Sequence, residues 1–589
     1  MRFRLIIRLV APALLVLAVV AVLVVSARHR RRASEPGRPS ISAHGGGPGS
    51  TRMAAGTMDF PQPNRAWLRS MPFIATIQAS GKAPSPAVIA ALRRAAHAGR
   101  GPAMDRIGLL YVQGLGVGRN YAAAMRWYRR AWKAGCGRAA AGIGELYLNG
   151  WGVVRDTARA VRWFRRGTLR QSRLAMNDLG ICALHGQGCR QDAGAALGWF
   201  KKAAALGDTG ATMNLGSMYY LGLAVPRNLA RALRFFNRAA AKGDAAAVGE
   251  AGFVYVTGGP GVPRDPSKGI KLLRKAAASG VGTAMGNLGY CYVLGWGVSR
   301  DYGTARRWLV RAAAMGVPSA MNGLARMYRG GLGAARDEKT ALMWYHRAAA
   351  AGSRNAMCDV GDAYAAGTGV KRDYAVAMAW YRRAAAAGLG RAMDAVGVMW
   401  LNGRGVARDY GQALAWFRRG AAAGSVRAMA NLGNMWFRGI GVARDFSQAG
   451  AWYRRAAEHG STAAMCALAT MLVRGQGGPP EYGKALAWLR RAAAMGSAAA
   501  MDDLAGMYCR GLGVPRSVTG SLAWYRKAAA AGSSEAMLNL GAAYTHGLGV
   551  PKDLAKAKAW FEKAAKAGDL RAKQALEELK VLAPVPKKK

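Results

Sequence analysis

Ala379-Trp380-Tyr381-Arg382-Arg383-Ala384-Ala385-Ala386-Ala387-Gly388 is one copy of a pattern that returns at a spacing of 36 residues along most of the chain. Its aromatic site falls at Trp127, Trp163, Trp199, Phe235, Leu272, Trp308, Trp344, Trp380, Trp416, Trp452, Trp488, Trp524 and Trp560. Only the step from Phe235 to Leu272 differs, at 37, and the Gly259-Pro260-Gly261 turn is the natural home of the extra residue. A period of this length held over thirteen copies describes an array of stacked supersecondary units and excludes a single globular core. Chain length here counts repeats, not domains.

The unit from Val426 to Gly460 shows what one repeat is made of. Met429, Leu432, Gly433 and Trp436 recur at i, i+3, i+4 and i+7, which predicts an amphipathic helix over Arg427 to Phe437, called helix A. Gly439-Ile440-Gly441-Val442 closes it, because glycine takes the left-handed conformation that a helix end requires. Asp445 is placed to cap the next helix, with Gln448 completing a capping box. Helix B then carries Ala449, Trp452, Tyr453 and Ala456 on one face and stops at Gly460. A ladder of glycines in helix A (Gly144, Gly180, Gly216, Gly252, Gly289, Gly361, Gly397, Gly433 and Gly541), with Ala325, Ala469 and Ala505 at the same site, is expected to give the helix B tryptophans room to pack.

Four regions follow from this register. Residues 1–32 read as a signal-anchor or transmembrane segment: Arg2, Arg4 and Arg8 precede an apolar run from Leu9 to Ala27, and Arg28, His29, Arg30, Arg31 and Arg32 follow it. That run is just long enough to span a bilayer as a helix. Val25-Ser26-Ala27 offers the alternative of a cleaved secretory peptide. Arginines on both sides leave the orientation open, and the basic start favours export, with the array in the periplasm and the anchor in the inner membrane if the protein is bacterial. Residues 33–86 are rich in Gly, Pro, Ser and Arg and read as a flexible linker, with a short helix or docking segment from Ala66 to Ile77. The array occupies 87–569 and opens with a half unit in which Ala91 stands at the tryptophan site, as an end cap would. Residues 570–589 read as a closing helix, Leu570 to Leu582, and a basic tail ending at Lys587, Lys588 and Lys589.

Eighty-five Lys and Arg against 30 Asp and Glu give a formal charge of +55, which raises anionic polymers and anionic lipid as partners without choosing among them. Cysteines at 136, 182, 189, 291, 358, 466 and 509 form no repeating pair, which argues against a disulfide framework.

The pattern Ala-Met-x-x-Leu-Gly-x-x-Tyr-x-x-Gly-x-Gly-Val-x-x-Asp-x-x-x-Ala-x-x-Trp-Tyr-x-x-Ala-Ala, written in Ala536 to Ala565 with Phe561 in place of Tyr, closely resembles the Sel1-like repeat (SLR) of the tetratricopeptide-like group. The resemblance implies an all-α, α/α solenoid, a right-handed superhelix of about thirteen helix pairs acting as a protein interaction scaffold. Some members carry cysteine pairs that clamp each repeat and are associated with β-lactam binding. This chain lacks those pairs and has no Ser-x-x-Lys sequence.

No chemistry of an enzyme is legible. The Gly-x-Gly-Val turns follow helices, not strands, and do not form a phosphate loop. Cys182, His185 and Cys189 lie close together but match no standard zinc spacing, and no catalytic residue, cofactor, metal or small-molecule substrate is expected. Two ladders are more informative. In helix A, Asp178, Asn214, Asn287, Asp359, Asn431, Asp503 and Asn539 share one position, and Asp105, Asn177, Asn322, Asp394 and Asp502 share the one before. Asn and Asp are poor helix formers, so their recurrence asks for a reason. They are either hydrogen-bonding groups for an extended protein or peptide partner on the concave face, or groups that satisfy neighbouring turns or simply face solvent. Helix B carries basic pairs in register, among them Arg129-Arg130, Arg165-Arg166, Arg382-Arg383 and Arg454-Arg455. Such a stripe suits a cell-envelope polymer or nucleic acid, or else is a solvated outer face.

Overall fold

Each 36-residue period becomes two antiparallel helices, and the reasons are local. The structure is a computed structural model that describes residues 84–582. Within them the regular structure is 28 helices, and one isolated bridge joins Gly259 to Val262 in the turn that holds the extra residue. The apolar run Leu9–Ala27 and the segment Ala66–Ile77 lie outside the described residues. Among the described residues, no helix is long and apolar enough to cross a membrane.

In the Val426–Gly460 repeat, helix A spans Val426–Arg438 and helix B spans Phe446–Glu458. Helix A ends on Gly439, whose φ of 70° is left-handed and whose N–H returns to the Met435 carbonyl. Asp445 caps helix B by accepting the Gln448 N–H at 2.9 Å. The capping box is only half made: the Asp445 N–H is taken by the carbonyl of Trp436 at 3.0 Å, so it does not await the Gln448 side chain. The same main-chain bond closes the A-to-B loop elsewhere, from Asp156 to Tyr147 and from Asp553 to Tyr544. Glu481 is the departure: it stands at the cap of Tyr482–Ala494 and makes no capping hydrogen bond.

The glycine ladder performs a different task from the one expected. A Cβ built on Gly397 would meet Phe417 Cε1 at 2.6 Å, and one on Gly180 would meet Phe200 Cε1 at 2.7 Å. Phe417 and Phe200 are the residues after Trp416 and Trp199, and both are fully buried. One residue further along a helix is a rotation of about 100°, which turns the second ring onto its own helix A. The tryptophan is turned instead towards the preceding repeat: Trp163 packs against the cluster of Tyr128 and Ile143, and Trp199 against that of Phe164 and Leu179.

Helix A packs most extensively on its own helix B, and helix B on the next helix A. The chain divides into two units, the first ending at Ala363 and including Thr368–Lys371, the second formed by Tyr364–Gly367 and the residues from Arg372. Inside each unit, successive A helices touch one another directly, more than successive B helices do, so helix A lines the tighter, inner side.

Two non-glycine residues among those described hold positive φ, Gln171 at 51° and Ala224 at 55°. Each conformation costs on the order of 1 kcal/mol.

The ring-on-glycine contact fixes the sign of a substitution. Ala in a helix interior ordinarily exceeds Gly in stability, by about 0.5–1 kcal/mol. Gly397→Ala is expected instead to destabilise the fold by about 1–3 kcal/mol in urea unfolding, because the Cβ overpacks Phe417. Trimming the ring with Phe417→Leu in the same chain restores part of the loss; a stabilised single variant refutes this packing role.

Candidate binding surfaces

Helix A places its two polar positions just before the glycine, on the inner side and close to the next helix A. The structure joins them between repeats. Asn214 Nδ2 donates to Asn177 Oδ1 at 2.9 Å, and Asn431 Nδ2 donates to Asp394 Oδ1 at 2.8 Å. Asp502 accepts from Ser533 Oγ of the following repeat at 2.5 Å, and Asp105 pairs with Arg138 at 2.7 Å. The ladder therefore acts in part as rungs between neighbours. Asn322, Asp359 and Asp394 are buried, while Asp178, Asn214, Asn287, Asn431 and Asn539 are half-buried and Asp503 is exposed. Asp178 Oδ2, Asn322 Oδ1 and Asp502 Oδ1 are shielded from solvent without a hydrogen-bond partner.

The inner side of the first unit also gathers carboxylates. Burial pushes Glu145 well above the usual carboxylate range, with Asp178 and Asp105 adding repulsion and Arg138 opposing it. Asp178 is raised by burial and by Asp208. Glu250 is pushed up to about 7 by burial and by Asp244. No described basic side chain forms an ion pair with Glu145, Asp178 or Glu250. Asp208 and Asp244 cap the helices Thr209–Leu221 and Ala245–Thr257 and are themselves raised, chiefly by burial.

On helix B the two members of the basic pairs that follow a tryptophan have different tasks. The second lies over the tryptophan three residues earlier: Arg166 is 4.9 Å from the Trp163 ring, Arg383 4.4 Å from Trp380 and Arg455 4.7 Å from Trp452. Such cation–π contacts contribute about 0.5–1 kcal/mol at exposed sites. The indole is thus covered on its outer face by its own helix, and the repeated arginine has a structural use before any ligand is invoked. The first members, such as Arg165, Arg382 and Arg454, are exposed.

The Sel1 repeat family model matches thirteen consecutive segments between residues 101 and 569, the longest break being residues 171 and 172. The chain belongs to the Sel1 repeat family. Similar solved structures include a protective antigen of uropathogenic Escherichia coli displaying an SLR fold, at 30% identity over 78% of this chain and 91% of that one, with a TM-score of 0.42. Another is a Sel1 repeat protein from Oxalobacter formigenes, at 33% identity over 39% of this chain and 94% of that one, with a TM-score of 0.36. No curated protein matches the chain. Sel1 repeat proteins generally act as non-enzymatic scaffolds for protein–protein contacts.

In this Sel1 array, Cys182 is fully buried and its thiol is pushed up to about 12, chiefly by burial, whereas His185 is exposed. Among the described residues no group of three His, Cys, Asp or Glu is arranged to hold a metal ion. All seven cysteines carry free thiols. Two inner carboxylates escape a sequence reading that follows Asn and Asp alone. Glu250 occupies the same ladder position as Asp178 and Asn214, two residues before its glycine, and Glu145 directly follows Gly144. Their signal is acidity inside helix A of a basic chain.

Glu250 ties stability to pH with a definite sign. Its carboxyl titrates in the ordinary range when unfolded and at about 7 in the fold, so the fold holds the proton that the unfolded chain has lost between those values. Stability contributed by this group is present at low pH and declines as pH rises through the window. Glu250→Gln is expected to stabilise the fold at about pH 8, by on the order of 1–3 kcal/mol, and to leave its stability unchanged near pH 4. Thermal unfolding at the two pH values checks this; an equal shift at both removes the ionisation from the explanation.

Proposed function

We propose that the chain is a membrane-tethered, non-enzymatic scaffold that takes up a protein or peptide segment along the inner helix A face, and that the segment it prefers is cationic. The observation that carries this reading is the set of Glu145, Asp178 and Glu250, held without an ion-pair partner in a chain of 85 Lys and Arg against 30 Asp and Glu. Carboxylates in a low-dielectric site are costly to ionise alone, and an arriving Lys or Arg relieves that cost. The half-buried Asn287 and Asn539 add side-chain amides beside the same glycine ladder, suited to hydrogen bonds with an extended backbone. Tethering rests on the apolar run from Leu9 to Ala27 between basic clusters, with the array on the periplasmic side of an inner membrane.

A second reading, an envelope polymer or nucleic acid along helix B, draws on the exposed first members of the basic pairs. The two readings separate in one experiment. Binding of a lysine-rich peptide to the full chain is expected to weaken by about tenfold, roughly 1.4 kcal/mol, in the triple variant Glu145→Gln, Asp178→Asn, Glu250→Gln, and to weaken when Asn214, Asn287, Asn431 and Asn539 become Ala. Charge reversal at Arg382 and Arg454 leaves it largely intact. Binding indifferent to the helix A variants defeats the scaffold reading, and retention of an anionic polymer that is lost with Arg382→Glu and Arg454→Glu favours the second. For the tether, protease digestion of the array in cells stripped only of an outer membrane is the expected result; protection there places the array in the cytoplasm.

A further inference from the structure

The turns from helix B to the next helix A repeat one solution, a glycine with positive φ, as at Gly135 (85°), Gly207 (83°), Gly243 (86°) and Gly388 (81°). One turn breaks it. Gln171 stands where the glycine belongs and holds a φ of 51°. The residues around it also depart from the pattern: Gly167-Thr168-Leu169-Arg170-Gln171-Ser172-Arg173 replaces the alanine-rich end of Ala384 to Gly388. Residues 171 and 172 are the same two that fall between matched repeats. A strained non-glycine residue kept at a turn that every neighbouring repeat solves with glycine is a departure that the fold does not require.

A cavity of about 630 Å3 opens at this turn. Arg138, Arg170, Arg173 and Lys242 line it, with Gln171 and Asp208. At the position directly before the turn residue the array carries Ala, Leu, Ser, Met or His, except for Arg170 and Lys242, and both line this one cavity. Their placement is defined. Arg170 lies 3.7 Å from the Trp132 ring and its Nη1 donates to the Trp132 carbonyl at 2.6 Å, which ties the guanidinium to that residue. Arg173 Nη1 and Lys242 Nζ converge at Gly207, at 3.7 and 3.8 Å from where a Cβ on that residue would lie, and Lys242 Nζ donates to the Gly207 carbonyl at 3.4 Å. Asp208, the carboxylate of the cavity, accepts the Ala211 N–H at 2.7 Å as a helix cap and lies near enough to Arg173 and Lys242 for their charges to oppose the burial that raises it, while Asp105 at 2.7 Å answers Arg138. Two cations from different repeats thus meet over a glycine without a side chain, with Arg170 as a third and Asp208 as the single carboxylate beside them.

We propose that this turn is a discrete binding site for a phosphate monoester, seated above Gly207 between Arg173 and Lys242 and reached by Arg170 and the Gln171 amide. Several donors on separate side chains suit a dianion with three free oxygens better than a carboxylate, which a single arginine fork satisfies. The site is singular in the array, unlike the repeated helix B pairs, so it selects a group and not a polymer. It is independent of the helix A reading.

The test titrates the full chain by calorimetry with O-phosphoserine and with a short peptide carrying phosphoserine. Saturable binding at one site is expected for at least one of them. Equal affinity identifies a free phosphorylated small molecule as the natural source, and at least about tenfold tighter binding of the peptide identifies a phosphorylated protein. Arg173→Ala with Lys242→Ala is expected to weaken binding at least about tenfold, while Arg382→Ala with Arg383→Ala, at a distant pair, leaves it unchanged. Gln171→Gly supplies a readout that a purely structural role does not: the unfolding midpoint rises as strain is relieved, while binding weakens several-fold. No saturable binding of either probe, binding that survives loss of Arg173 and Lys242, or equal loss in the distant pair each overturns the proposal.

Discussion

The contact between the ring after the tryptophan and the helix A glycine sets the distance at which the two helices of a repeat meet. Phe164, Phe200, Phe236 and Phe417 are fully buried against such glycines, and Leu309 fills the same place against Gly289. With this contact made, the tryptophan has one direction left, towards the preceding repeat, and so it joins repeats instead of closing them. The cation three residues later then lies across its outer face. One close approach between a backbone and a ring thereby orders a glycine, an aromatic, an indole and an arginine. Their spacing in the sequence is a consequence of that order.

Charge follows from the same economy of positions. Helix B needs an acceptor at its N-cap, and Asp156, Asp192, Asp265, Asp301, Asp337, Asp373, Asp409, Asp445 and Asp553 supply it. Basic residues crowd the exposed side of helix B, where water solvates them and tryptophan rings receive them. Helix A is capped by its own Ser or Asp, as at Ser425 and Asp208, and the carboxylates inside it answer no requirement of the helix pair. Burial raises them, and the Arg138 charge near Glu145 only partly opposes it. A protein with so many Lys and Arg has every opportunity to neutralise an inner carboxylate, and at Asp105 it does so with Arg138. That Glu145, Asp178 and Glu250 are left without one sets them apart from the ordinary ion pairs of the surface.

Much of this was legible in the sequence because a repeat writes its structure many times. The period located both helices: the expected Arg427–Phe437 lies inside the observed Val426–Arg438, and the extra residue falls in the Gly259–Val262 turn. What the period does not carry is side-chain direction. It gives Trp452 and Tyr453 as a pair and cannot say which ring lies on Gly433; the structure gives that place to Tyr453. For the same reason spacing alone suggests a capping box, although the Asp445 N–H already has the Trp436 carbonyl. The polar ladder is visible as a ladder, but the bonds from Asn214 to Asn177 and from Asn431 to Asp394 cross between repeats, 37 residues apart, and no local pattern reveals them. Glu250 escaped because it shares a position with the ladder but not a residue type.

A repeated fold supplies its own control, since whatever the helix pair requires is present in nearly every copy. Glycine at the B-to-A turn meets that standard, and so do the capping aspartate and the stacked cation. Residues that depart from the pattern in one place, and cost stability by doing so, are therefore not explained by the pair. Gln171 adopts a backbone conformation that glycine adopts freely, and it does so between two arginines whose counterparts elsewhere are mostly small or apolar. Ala224 shares the positive φ, yet alanine brings neither charge nor a polar side chain to its turn. Strain at Ala224 is a tolerated imperfection of the repeat. Strain at Gln171 coincides with Arg170, Arg173 and Lys242 around one cavity, and that coincidence separates a departure with chemistry from one without.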